Sequence, residues 1–411
     1  MPMNLIPIEI DSIRIGYPMP CDLVDGNGVL LAKKSLIIRS KEDLILFYNR
    51  TGGLFVDGHD AEVMRKAYVD QLQTMMRKEK SIGEIAESKL LVDRTVQRRV
   101  DAPGRVNWHD MQQQAHYALR EPQHAFFLER LDAIHRSLMQ ESQRNPDGAL
   151  FALIQLSATE TAMYSATHAM LVSMMCGLAA REVLDWPESV EMLLRKAALT
   201  MNLSMAELQD RLAVQRRPPD PVQRTHIDEH ARLSSELLQA VGVNDPLWLD
   251  AVAAHHAVEP GRLRSKEPAQ RLARLIQRAD MFAARLSPRL TRPAVSPALA
   301  MQACYFDEDK NVDEAGAAMI KAVGIYQPGS YVKLASDEVA VVVRRSANTS
   351  TPRVAVVLNR SGMPTMEHAL RDTANKDFRV VASVPHAEVK VNIQLDRLLP
   401  LTQPTPADRS W

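Results

Sequence analysis

Lys196-Ala197-Ala198-Leu199-Thr200-Met201-Asn202-Leu203-Ser204-Met205 is the stretch on which the reading of this 411-residue chain turns. Val190, Leu193, Leu194, Ala197 and Ala198 lead into it at helical spacing. It is therefore expected to close a buried helix that begins near Ser189, and the turn after it is where chemistry is expected. Working outward, a lone histidine, His168, lies upstream in the charge-free run 161–180. Downstream come His230, the pair His255-His256, and Ala279-Asp280-Met281-Phe282. Each piece alone says little. A lone His on an apolar helix is usually a satisfied core residue, His255-His256 alone reads as a surface pair, and His226, one turn before His230, reads as a chance neighbour on a solvated face.

Length and composition bound the answer. At 411 residues, 46% of them hydrophobic, the chain is long enough for two or three domains around at least one large core. Lys+Arg and Asp+Glu are both 50, so nothing global argues for nucleic acid or an anionic membrane. Three widely spaced cysteines, Cys21, Cys176 and Cys304, form neither a disulfide framework nor a zinc ribbon and fit a reducing cytoplasm. The N-terminus lacks the basic start and apolar run of a signal peptide. Run 161–180 is weakly apolar and is expected to be a buried helix rather than a membrane span.

The hydrophobic period divides the chain. Residues 1–60 read as a small β-rich module: Ile8-Glu9-Ile10 alternates, Ile13-Arg14-Ile15 is a strand, and Asp25-Gly26-Asn27-Gly28 joins Cys21–Val24 to Val29–Ala32 as a hairpin. A short helix capped by Ser40 and a strand at Leu54–Asp57 follow. Residues 61–145 read as a helical connector broken at Pro103-Gly104. Two readings of it stay open: pairing with a second copy as a homodimer, or plain surface helices with one apolar stripe. Residues 146–325 read as helix after helix, interrupted by the loop at Arg216-Arg217-Pro218-Pro219-Asp220-Pro221. Residues 326–400 switch to period two, with strands at 331–334, 339–343, 353–358 and 378–381. Residues 401–411 read as a frayed tail. The expected class is α+β: a central all-α domain flanked by a small β-rich N-terminal domain and a β-rich C-terminal extension.

In order, these pieces resemble the HD-GYP family, bacterial metal-dependent hydrolases of cyclic di-GMP. There the central stretch reads Ala-Ala-Leu-Leu-His-Asp-Ile-Gly-Lys. The run Gly324-Ile325-Tyr326-Gln327-Pro328-Gly329-Ser330 is also similar to the segment that follows the family's core. The resemblance spans roughly residues 150–345, and its force is the order of the pieces. It implies an HD-type helical domain with two metals, one held at His168, Met201, Asn202 and Asp280, the other at Asn202, His230, His255 and His256.

At those positions the chain departs from the family. His-Asp has become Met201-Asn202, Gly-Lys has become Ser204-Met205, and no Gly-Tyr-Pro follows Glu259-Pro260-Gly261. A thioether is a poor ligand for hard cations, and a neutral amide cannot bridge two metals as a carboxylate does. Met205 stands where the family has a lysine near the scissile phosphate. Tyr164 sits where some members place an additional carboxylate. The resemblance therefore implies a degenerate protein of cyclic di-GMP signalling that senses a ligand or binds signalling partners. The alternatives are a residual metal-dependent phosphodiesterase and a structural scaffold. The retained set His168, His230, His255, His256 and Asp280 allows one divalent transition metal (zinc, iron or manganese) or none. No Walker loop, Rossmann glycine fingerprint or Gly-x-Ser-x-Gly elbow competes with this reading.

Overall fold

The structure is a computed structural model that describes residues 5–8, 21–26, 29–32, 53–57 and 106–403, apart from 160, 259–260, 292–293, 366 and 392–394. The chain divides into two compact units, Met1–Arg105 and Val106–Trp411. The expected strand at 13–15, the Ser40 helix, the connector up to residue 105 and the tail beyond 403 lie outside the described residues.

In the first unit, β1 (Leu5–Ile8), β2 (Leu23–Val24), β3 (Leu30–Ala32) and β4 (Leu54–Asp57) form an antiparallel sheet in the order β1-β4-β2-β3. The expected hairpin is present, with Leu23 opposite Ala32 and a bulge beside it. Asp25 closes the turn by accepting from the Val29 N–H at 2.8 Å.

The second unit begins with α1 (Trp108–Arg120), α2 (Phe127–Arg144), α3 (Pro146–Thr159) and α4 (Tyr164–Glu182). Then come α5 (Glu188–Thr200), a 3-10 turn at Leu203–Met205, α6 (Ala206–Val214), α7 (Pro221–Ala240) and α8 (Pro246–Ala253). The helices α9 (Pro268–Leu286), α10 (Pro297–Tyr305) and α11 (Glu314–Val323) complete the bundle. Proline at the first turn of α7, α8, α9 and α10 marks their starts, because its missing N–H is an orphan there anyway. The period of apolar residues predicts a start at His226, but α7 starts five residues earlier, with Asp220 and Gln223 making a reciprocal capping box. α6 and α10 lie in stretches that have no strong helical period.

α4 is the axis of the bundle. Every residue from Tyr164 to Ala180 is buried, and α1, α3, α5, α6, α9 and α11 all pack on it. A helix surrounded on all sides has no polar face to show, so run 161–180 lacks charge without crossing a membrane. Among the described residues, no helix is long and apolar enough to span one. Its small residues admit close neighbours. A Cβ on Gly177 would fall 1.9 Å from the Arg195 guanidinium carbon. That guanidinium is fully buried and is held by Glu191 at 2.8 Å and the Ser142 hydroxyl at 2.8 Å, so the charge is paired.

The C-terminal sheet runs β8-β7-β6-β5-β9, all antiparallel: β5 (Tyr331–Leu334), β6 (Val339–Arg344), β7 (Arg353–Leu358), β8 (Leu370–Asp372) and β9 (Val380–Val384). β9 starts two residues later than its period suggested, and β8 is an added edge strand. One face of β5–β7 packs Tyr331, Val341, Val343, Ala355 and Val357 against Phe151 of α3. Gly329 makes this junction: its φ is +91°, and a Cβ there would lie 2.8 Å from the Phe151 carbonyl oxygen. Gln155 and His386 both donate to the Gly329 carbonyl, at 2.6 and 3.0 Å. The protein is thus α+β, a helical bundle with two antiparallel sheets.

Candidate metal centre

Helix α7 and the turn that follows α8 present the three histidines. Asp245 caps α8 by accepting from the Trp248 N–H at 3.2 Å. The Trp248 indole then donates to Thr200 Oγ1 at 2.9 Å, which ties α8 to the end of α5. Ser235 donates to the Leu249 carbonyl at 3.0 Å, which ties α7 to α8. His230 and His255 are brought together by these contacts.

Adjacent side chains on a regular helix diverge by about 100°, so His255 and His256 could not converge within α8. The helix ends at Ala253, and a turn closed by the Ala257 N–H to the Ala254 carbonyl (2.8 Å) carries the pair. One nitrogen from each of His230, His255 and His256 then lies within 4.8 Å of the others. His230 and His255 are buried, and His256 is exposed.

The hydrogen bonds fix which nitrogens are free. His230 Nδ1 donates to the Ile227 carbonyl at 2.5 Å, and His255 Nδ1 donates to the Val252 carbonyl at 2.7 Å. A carbonyl oxygen only accepts, so both protons sit on Nδ1 and both Nε2 atoms carry a lone pair. Those two Nε2 atoms face each other at 3.2 Å. Two lone pairs do not bond to each other. The spacing suits two ligands of one tetrahedral ion, for which Zn–N bonds of about 2.05 Å give an N···N edge of about 3.3 Å. A ring oriented through a backbone carbonyl is the usual support of a metal-binding imidazole. Burial lowers the His230 pKa, and it lowers that of His255 to about 3, with the nearby His256 adding to the effect. Both rings are therefore neutral and able to bind a cation near pH 7.

The other half of the site is closed. His168 Nε2 lies 2.7 Å from Asp280 Oδ1. Burial pushes the Asp280 carboxyl up, but the hydrogen bond and charge of His168, with His255 and His256 further off, hold it well below the usual carboxylate range. Asp280 is therefore an acceptor, and His168 Nε2 is the donor. Tyr164 stacks on the His168 ring, centroids 5.6 Å apart, and its hydroxyl accepts from Arg289 at 2.8 Å. Met201 is fully buried in the main core, and Asn202, also buried, starts the 3-10 turn. Met205 packs with Leu208, Leu212 and Ile227.

Sequence reasoning missed the part played by Ser204 and His226. The Ser204 N–H donates to Ser234 Oγ (3.0 Å) and its hydroxyl to the His230 carbonyl (3.1 Å). His226 is half-buried and donates from Nε2 to the Ser204 carbonyl at 3.1 Å, so it is not a residue of a solvated face. These bonds pin the turn after α5 onto α7. Ser204 and Ser234 lie thirty residues apart, and no local pattern would have paired them.

No protein-family model matches the chain, and no curated protein matches it. Among solved structures, one described as a HDG"Y"P protein from Bdellovibrio bacteriovorus aligns with 77% of this chain and 98% of its own, at 13% identity and a TM-score of 0.42. A likeness at that level carries no further weight here.

Proposed function

We propose that the chain is a degenerate HD-GYP-type module that does not hydrolyse cyclic di-GMP. In this reading it keeps one of two metal positions and serves cyclic di-GMP signalling as a ligand-sensing or partner-binding part. The observation that carries the proposal is Met201, fully buried in the main core, with the neutral Asn202 after it, at the two positions where the resemblance requires an imidazole and a bridging carboxylate. A neutral amide at 202 cannot bridge two ions and offset their charge, and the Asp280 carboxylate is taken by His168 at 2.7 Å. Met205, in its apolar cluster, provides no cation for a phosphate.

The donor set at His230, His255 and His256 fits a single borderline cation such as zinc. It does not fit magnesium, which prefers oxygen ligands. A cation bound there would supply a Lewis acid and a bound water. The chain's own residues hold the two buried rings neutral and place the Asp280 carboxylate where its charge favours a cation.

That same set supports a second reading, a one-metal phosphodiesterase with residual activity. Elemental analysis of the full chain, run beside a cyclic di-GMP turnover assay, separates the two. One metal without turnover supports the proposal. Robust turnover that is lost in His230→Ala overturns it in favour of the enzyme.

A further inference from the structure

Away from the histidines, three loops meet at one end of the C-terminal sheet and enclose an open cavity of about 1090 Å³. The loops are the β5–β6 turn, the turn after β7 and the segment that enters β9. The β5–β6 turn and the β9 entry are joined by the Ala335 N–H to the Arg379 carbonyl at 2.9 Å. Lys333, Arg360, Lys376 and Arg379 line the cavity against two carboxylates, Asp337 and Asp377, a local surplus of two positive charges on a chain whose net charge is zero.

Two of the three nearby acids are already committed, and Asp377 is the third. Asp337 pairs with Lys333 at 3.1 Å. Glu338 is buried, accepts from Ser336 at 2.7 Å and takes both arms of Arg371 at 3.0 and 3.3 Å. Among the described residues, Lys376 and Arg379 have no ion-pair partner. Arg371 in turn lies 4.7 Å from the centre of the Phe378 ring, and Phe378 also lines the cavity. The walls therefore offer unneutralised cations on mobile stems together with an aromatic ring held in place from one side. This is the combination that binds phosphates and stacks a base. A concave site flanked by three loops suits a small ligand better than an extended polymer.

We propose that this cavity is a nucleotide-binding site, with Arg360, Lys376 and Arg379 on the phosphates and Phe378 against the base. The site stands on its own observations and does not depend on the metal reading. The test is isothermal titration of the full chain with GTP, ATP and pyrophosphate as probes, at two salt concentrations. At least one nucleotide is expected to bind ten-fold or more tightly than pyrophosphate, and to weaken as salt rises. The triple change Arg360→Ala, Lys376→Ala, Arg379→Ala is expected to cost ten-fold or more for both classes of probe. Phe378→Leu is expected to weaken the nucleotide several-fold and leave pyrophosphate unchanged. The three cations are exposed, so an unchanged melting temperature and unchanged zinc content in the triple variant will show that the fold and the histidine centre survive. Three results overturn the proposal: no binding of any of the probes at millimolar concentration, binding that the triple variant retains, or pyrophosphate bound as tightly as either nucleotide.

Discussion

His168 and His255 are both buried imidazoles in one helical bundle, yet they end in opposite states. His255 spends its proton on the Val252 carbonyl through Nδ1, three residues back on its own chain, and leaves Nε2 bare. His168 spends its proton on Asp280 through Nε2, across 112 residues, and has no lone pair left on that side. Residue type does not distinguish them. The second partner of each ring decides whether it can serve a cation. One ring is thus part of a cluster whose donors fit a metal, and the other makes an internal hydrogen bond between α4 and α9.

The largest expected effect tests the open half. His255→Ala should lower the zinc affinity of the full chain by on the order of 100-fold or more, since loss of a ligand exceeds the usual cost of losing its support. His168→Ala should leave zinc stoichiometry at about one. Zinc titration with elemental analysis reads both, and two zinc ions per chain in the unaltered protein would break the contrast.

Next is an attempt to reopen the closed half. Met201→His with Asn202→Asp restores an imidazole and a bridging carboxylate, so metal content should rise from about one toward two per chain. Cyclic di-GMP turnover should stay far below that of a complete site, because Met205 remains in its apolar cluster. Full turnover from this double change would show that the closure of the first half is only a matter of missing ligands.

A smaller effect measures what the closed half does instead. Asp280→Asn removes the charged acceptor of a buried imidazole and should cost about 1–3 kcal/mol of stability in urea unfolding of the metal-free protein. His256→Ala, on an exposed ring, should cost almost none. Equal losses from the two would mean that His168–Asp280 is no more structural than the triad.

The smallest effect lies outside both halves and sets the background for any acid titration of the centre. His386, at the junction of sheet and helices, has its pKa lowered to about 4 by burial, against the pull of its bond to the Gly329 carbonyl. An unfolded histidine protonates near 6.5. As pH falls below that value the unfolded chain takes up the proton first, so stability is level above about 6.5 and declines from there toward about 4. At pH 5.5 the loss is on the order of 1 kcal/mol. Thermal melts of metal-free protein between pH 7.5 and 5 should show the decline, and His386→Gln should flatten part of it. A slope unchanged by the substitution would assign the acid sensitivity elsewhere.

The sequence by itself determined the α+β class and the central strands of the C-terminal extension. Those features depend on side-chain period and on signals within a few residues, as with Pro246 after Asp245. It also determined which residue types stand at each position of the constellation, including Met201 and Asn202 where a bridging pair would be needed. It did not reveal α6, α10 or β8, whose periods are too short or too weak to stand out. Only the tertiary structure decided that α8 ends in time for His255 and His256 to converge, that Ser204 is pinned to Ser234, and that three loops make a basic cavity around Phe378. It alone decided which ring nitrogens are free. A proton settles on the nitrogen that faces an acceptor, and for His168 that acceptor is supplied by a helix that reaches the site only when the whole bundle has closed.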